Sequence, residues 1–376
     1  MALTDKILKY ITDNSIMTYN LLKELAQIPS PSGKEFERIM YCKKWLESKG
    51  AEGLYIDAAG NLIYPIGNLD GPITVFVAHS DVVFPDEKQL PLKEDGDKIY
   101  CPGIGDDTAN IAALLMVSGY IAENKITPSE NGILIVIDTC EEGLGNLKGC
   151  REIIKTFGHR ISRFYSFDLQ YTSGIAYAVG SQRYKITVKT QGGHSYFDFG
   201  RKNAIHVLSK IIDRLYKVQL PEEGTTTYNV GTITGGTSVN SIAQSASMLY
   251  EFRSDNQNSL DQMENNLKNI LSEVNDFDVE IEIENIGSRP CSGDVVEAEH
   301  EALLNRVKHI VNEHTGNSIK FNSGSTDCNI PLSVGIPSVC IGCYDGAGEH
   351  TRQEFIYKSS LISGYKIAFD LVLSEL

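Results

Sequence analysis

Apolar residues along this chain follow two different periods. Leu21, Leu22, Leu25 and Ile28 recur at helical spacing, and Ser32 with Glu35 has the form of a capping box that opens a second helix ending near Gly50. After that come short, unbroken apolar runs: "NLIYPIG", "ITVFVA", "GILIVID", "RFYSF" and "PSVCIG". Helical patterns such as "ANIAALLMVSGYIAEN" lie between some of them. A run with no polar alternation is a strand buried on both faces, so the pattern predicts an α/β sheet covered by helices on both sides.

The texture changes between about Arg183 and Gly287. "YKITVKT", "NAIHVLSKIIDRLYKV", "YNVGTIT", "SASMLYEFRS", "LDQMENNLKNILSE" and "DVEIEIENIG" read in order as β-α-β-β-α-β, a unit that completes its own sheet. A chain of 376 residues is long enough for two domains. We therefore expect a first domain built from residues 1–182 and 288–376, interrupted by an inserted domain at 183–287.

Polar residues then gain meaning from where the strands end. His79 and Asp81 follow "ITVFVA", Glu141 and Glu142 follow "GILIVID", Asp168 closes "RFYSF", and His350 lies in the glycine-rich stretch after "PSVCIG". Asp106 and Asp107 stand in "GIGDDTANIAALL", just before a helix. In open α/β sheets ligands bind at the carboxyl edge of the strands, where residues distant in sequence converge. Each residue alone has a duller reading. The aspartates could cap a helix, His79 could be a satisfied core histidine, and the glutamates could lie in a solvated loop.

Their combination says more. Two histidines with several carboxylates at one sheet edge form an N/O donor set suited to zinc, manganese or cobalt. Two ions fit better than one, because adjacent divalent ions need a bridging carboxylate, for which Asp106 is the natural choice. One of the adjacent glutamates can then bind metal while its neighbour takes a proton from water. The net charge of −15, from 34 Lys+Arg against 49 Asp+Glu, argues against nucleic acid as a partner. No window approaches a membrane span, and the N-terminus lacks the apolar core of a signal peptide, so a cytoplasmic protein with no membrane partner is expected. The eight scattered cysteines suit a reducing compartment, and Cys340 and Cys343 in "CIGC" are expected to be buried thiols.

The ordered segments "VFVAHSDVV", "GIGDDTANIAALL", "DTCEEGLG", "SFD", "GGHS" and "GEHTRQEFI" resemble the co-catalytic metallopeptidases of family M20, across nearly the whole chain. The family includes peptidase T, aminoacylase, carboxypeptidase G and succinyl-diaminopimelate desuccinylase. The resemblance implies a zinc-exopeptidase-like mixed sheet flanked by helices, with the insertion as lid and dimerisation domain of a homodimer. It further implies that His79, Asp106 and Asp168 bind one zinc, and Asp106, Glu142 and His350 the other. Glu141 would be the general base and Asp81 the carboxylate that orients His79. His194 would stabilise the oxyanion in a neighbouring active site, and Asn240 and Arg253 match substrate-binding positions.

One departure stands out. Many relatives follow the bridging aspartate with Lys-Gly, whereas Thr108 and Ala109 follow Asp106 and Asp107 here. That leaves substrate preference open and the metal centre intact. Aspartate at 168 is more similar to the aminopeptidase and dipeptidase members, so the expected substrate is a short peptide. The alternatives are an N-acyl amino acid deacylase or carboxypeptidase using the same residues, and a catalytically silent binding homologue.

Overall fold

The computed structural model describes residues 3–128, 131–274 and 277–376. The chain forms two compact units, one from Met1–Ala178 with Gly293–Leu376 and one from Val179–Ser292. The second unit is longer at both ends than the expected 183–287. Its bounding strands keep pairing outward, as far as Ser181 opposite Arg289.

The first unit is built on an eight-stranded mixed sheet. Its strands are β1 (Tyr55–Ile56), β2 (Leu62–Ile66), β3 (Ile73–His79), β6 (Gly132–Asp138), β7 (Ile161–Phe167), β8 (Ser173–Ala178), β15 (Lys320–Gly324) and β16 (Ser338–Ile341), in the order β1-β2-β6-β3-β7-β16-β8-β15. At its centre β6, β3, β7 and β16 run parallel, so their carboxyl ends share one edge. Every residue of β3 and β6 is buried, as the unbroken apolar runs require.

One face of this sheet packs against α1 (Asp5–Gln27), α2 (Phe36–Ser48), α3 (Asn110–Asn124), α7 (Glu297–Thr315) and α9 (Leu361–Leu373). The other carries α4 (Lys148–Phe157) and the short α8 (Asn329–Ser333). A small sheet of β4 (Lys93–Asp95), β5 (Lys98–Tyr100), β17 (Gly346–Ala347) and β18 (Phe355–Tyr357) ties the segment around His350 back to the loop before Asp106.

The second unit is a four-stranded antiparallel sheet of β9 (Gly180–Thr190), β11 (Thr226–Gly235), β13 (Ser245–Ser254) and β14 (Val279–Arg289), ordered β11-β13-β9-β14. Helices α5 (Ala204–Leu215) and α6 (Gln257–Val274) pack on one face only. A two-residue pairing of β10 (Gly193–His194) with β12 (Ser241–Ile242) is added to the β-α-β-β-α-β core. Along β13 buried and more exposed residues alternate, the mark of a one-sided sheet.

The capping box does not form. Helix α2 has no side-chain cap, and the Ser32 hydroxyl instead donates to Asp81 at 2.6 Å. Glu35 turns away too: its Oε1 accepts from Gly33 N–H at 2.7 Å and from Cys140 N–H at 3.1 Å. Buried loops at the sheet edge had unsatisfied groups to offer, and these side chains went to them.

Candidate metal centre

Three adjacent strands deliver the central residues. His79 ends β3, Asp168 follows β7, and Glu141 and Glu142 follow β6. The turns are tight. Cys140, Leu169 and His350 all hold positive φ, at 61°, 67° and 62°, a conformation that costs a non-glycine residue energy and concentrates at functional sites. Asp106 lies before α3 in an irregular turn, with non-helical φ −97° and ψ 93°. Helix α3 begins at Asn110 with Ala109 at the cap position and no side-chain cap, so Asp106 does not cap it.

Side chains from these elements form two donor clusters that share one residue. His79, Asp106 and Asp168 make one, and Asp106, Glu142 and His350 the other. Asp106 Oδ1 lies 3.0 Å from His79 Nε2, and Asp106 Oδ2 lies 3.0 Å from His350 Nε2. His350 Nε2 is 3.2 Å from Glu142 Oε1. Ligand atoms ~2.0–2.1 Å from a tetrahedral zinc sit ~3.3 Å apart, so the spacing suits one ion per cluster with Asp106 between them. Glu141 also gathers with His79 and Glu142, and both glutamates are buried, at 5% and 7% exposure.

The electrostatics ask for cations. Asp81, Asp106, Asp107, Glu141, Glu142 and Asp168 crowd around two imidazoles. Burial, with Asp106 nearby, pushes the Asp168 carboxyl up to about 7. Burial opposes a charged His79, but Asp107, Asp106 and Asp81 outweigh it and hold the metal-free ring protonated. Asp106 and Glu142 raise His350 to about 11. Burial alone would raise Asp106, yet its bonds to His350 and His79 hold it below the usual carboxylate range. The protons on the two rings stand in for the positive charge the carboxylates need, and the donor set fits divalent ions.

Asp81 acts in a way its sequence position did not announce. The Nδ1 of His79 meets the backbone carbonyl of Asp81 at 3.0 Å, closer than the Asp81 carboxylate at 3.5 Å. The carboxylate instead accepts from the backbone N–H groups of Glu141 and Glu142, at 3.0 and 2.9 Å, as well as from Ser32. One residue thus fixes both the imidazole tautomer and the backbone of the paired glutamates.

Other supports were not foreseen. Glu354, buried, accepts from the N–H groups of Gly103, Gly105 and Asp106 at 2.6, 2.8 and 2.9 Å, and so shapes the Asp106 turn. Burial raises it to about 8. Asp107 accepts from His79 N–H and from Asn110 Nδ2, at 2.9 and 2.7 Å. Arg38, fully buried, donates to the carbonyls of Ser80 at 3.1 Å and Ile28 at 2.7 Å. Asp107 stands in an otherwise buried segment, a signal the sequence carries, whereas Glu354 follows three exposed residues and carries none. Cys340 and Cys343 are buried free thiols, and burial pushes both up.

Three sequence candidates lie in the second unit. His194 is exposed, and its Nδ1 accepts from the N–H groups of Tyr196 and Phe197 at 3.2 and 3.4 Å, which leaves the proton on Nε2. Asn240 is in an exposed turn and accepts from Ser238 Oγ at 2.6 Å. Arg253 binds the Glu251 carboxylate with two nitrogens, at 3.2 and 3.1 Å.

Residues 178–279 match the peptidase dimerisation domain, and residues 61–216 match peptidase family M28. A Mycobacterium tuberculosis protein provisionally described as a succinyl-diaminopimelate desuccinylase is 26% identical over 343 residues, 89% of this chain and 92% of that protein. A Staphylococcus aureus tripeptidase structure has the same fold, with TM-score 0.75 and 24% identity over 96% of this chain and 99% of that one. Together these matches support a relation to the M20 metallopeptidase family. A Bacillus subtilis structure described as a dinuclear metal-binding peptidase of the M20 family also shares the fold, with TM-score 0.62 and 17% identity over 97% of this chain and 100% of that one. These matches, with the two donor clusters, support metal-dependent amide hydrolysis. Among its described residues no helix is long and apolar enough to cross a membrane.

Proposed function

We propose that this enzyme is a dinuclear exopeptidase of short peptides, of the aminopeptidase or di- and tripeptidase type. His79, Asp106 and Asp168 would hold one divalent ion, and Asp106, Glu142 and His350 the other. The observation that carries this reading is Asp106, which offers one oxygen to each imidazole. Zinc is the ion best suited to the donors, with cobalt or manganese as substitutes. Two such ions supply the positive charge that lowers the pKa of a water and polarises the scissile carbonyl.

The chain's own groups do the rest. Glu141, its backbone fixed by Asp81, takes the proton from the attacking water and returns it to the leaving amine. Asp81 is a positioning residue for His79 and for both glutamates. His194 acts as a donor to the developing oxyanion, a role its Nε2 proton supports, in a homodimer formed through the unit that matches the dimerisation domain. Asn240 and Arg253 bind the substrate, with a substrate carboxylate taking the place of Glu251 on Arg253. A reducing, cytoplasmic setting is part of the same reading and is supported by eight free, buried cysteines.

A second reading, N-acyl amino acid deacylase, is favoured by the likeness to the M. tuberculosis protein. A metal-reconstituted assay on di- and tripeptides and N-acyl amino acids, read by mass spectrometry, separates the two. The proposal expects peptides to be cleaved fastest. Cleavage of N-acyl amino acids alone would replace it with the second reading, and no cleavage by metal-loaded protein would overturn both.

A further inference from the structure

We propose that the first unit carries another metal site, built between α7 and α9: a divalent ion of the zinc type held by Glu313, His314 and Asp370, with His309 as fourth donor. Donor atoms of Glu313, His314 and Asp370 lie within 4.8 Å of one another. His314 Nε2 is 2.8 Å from Asp370 Oδ2, and His309 Nε2 is 3.6 Å from Glu313 Oε2. These spacings bracket the ~3.3 Å expected between ligands of a tetrahedral ion. They resemble those of the catalytic clusters.

The helices make the site. His309 and Glu313 are four residues apart and so face the same way on α7, while His314, in its last turn, pairs with Asp370 of α9. Asp370 approaches from α9, whose Ile367, Phe369 and Leu371 share a core with Val307, Ile310 and Val311 of α7. The inner pair is nearly dry, with His314 and Asp370 side chains 8% and 3% exposed. The outer pair, His309 and Glu313, is 79% and 39% exposed, which leaves an entry path. Two imidazoles and two carboxylates select a borderline-soft ion over calcium or magnesium, which take six or more oxygens. A bound ion would staple the two helices that cover this face of the sheet.

Two plain ion pairs, His314 with Asp370 and His309 with Glu313, would account for these contacts without an ion, but neither would make metal content depend on His309. His309 therefore decides the matter. Catalytically loaded wild-type, His314→Ala and His309→Ala proteins would be equilibrated at the same free zinc, gel-filtered and analysed for metal per chain. Wild type should hold one ion more than His314→Ala, a difference that stands whatever the catalytic centre carries. His309→Ala should weaken that extra ion by about 10–100-fold, as loss of a supporting ligand does, with peptide or acyl hydrolysis unchanged in both variants. Because His309 is exposed, its removal leaves a folded protein even if His314→Ala does not. Equal metal content in all three proteins, or an extra ion whose affinity His309→Ala leaves unaltered, would overturn the proposal.

Discussion

The two sheets of this molecule solve burial differently, and the difference decides where chemistry can be read. In the first unit β3 and β6 are buried along their whole length, so charged side chains are expelled to the strand ends. In the second, β13 alternates, and every other residue is free to be polar without consequence. A carboxylate after a covered strand therefore points to a site by its position alone, whereas a polar residue on a one-sided sheet gains meaning only once its partner is known. Arg253 shows the second case: its partner is Glu251, two residues away on the same face.

Substitutions at the covered sheet's edge should be far more damaging than any on the open sheet. Asp106→Ala should have the largest effect, losing both ions and hydrolysis together. Glu142→Ala should lose metal, whereas its neighbour Glu141→Gln should keep both ions and the fold while turnover falls by ~10³-fold or more, because an amide cannot accept the proton from water. Metal analysis beside turnover separates the adjacent glutamates, and a wild-type rate for Glu141→Gln would move the base elsewhere.

In the second unit, His194→Ala should cost about 100-fold in turnover with metal content intact. Mixed dimers of Glu141→Gln and His194→Ala chains should regain activity, since one site inherits both groups. If chains exchange and no activity returns, His194 does not act across the dimer. If His194→Ala is as damaging as Asp106→Ala and also loses metal, the contrast between the two sheets fails.

Metal uptake by the metal-free enzyme should depend on pH with a known sign. His79 and His350 are held protonated, and Asp168 titrates up to about 7, so binding must displace protons. Affinity should rise with pH, by about tenfold per unit for each proton displaced, and most steeply below about 7, where Asp168 contributes as well. Calorimetry in buffers of different ionisation heat would count the protons, and uptake independent of pH would contradict the assigned ligands. The smallest effect expected is for Ser32→Ala, which removes one hydrogen bond to Asp81, worth about 1–3 kcal/mol of local support. Hydrolysis should slow several-fold with both ions retained.

The covered strands and the βαββαβ insertion were legible because burial writes itself as apolar runs and alternation. The clusters around Asp106 were legible because their members each stand at a strand end or just before a helix. What was hidden is the layer behind them. Ser32 reads as a helix cap until one sees Asp81 beside it, and Glu354 lies 248 residues from the Asp106 N–H it accepts. Such pairings depend on loops meeting in space, and one sequence carries no trace of them.

The claim that Asp106 joins two ion sites is tested most directly by adding zinc back to metal-free enzyme while measuring bound metal and hydrolysis together. The α7–α9 site should be disabled by His314→Ala for this purpose. Bound metal should then saturate at two ions per chain, with activity reaching its maximum as the second is filled. Full hydrolysis by a chain holding no metal would contradict the account.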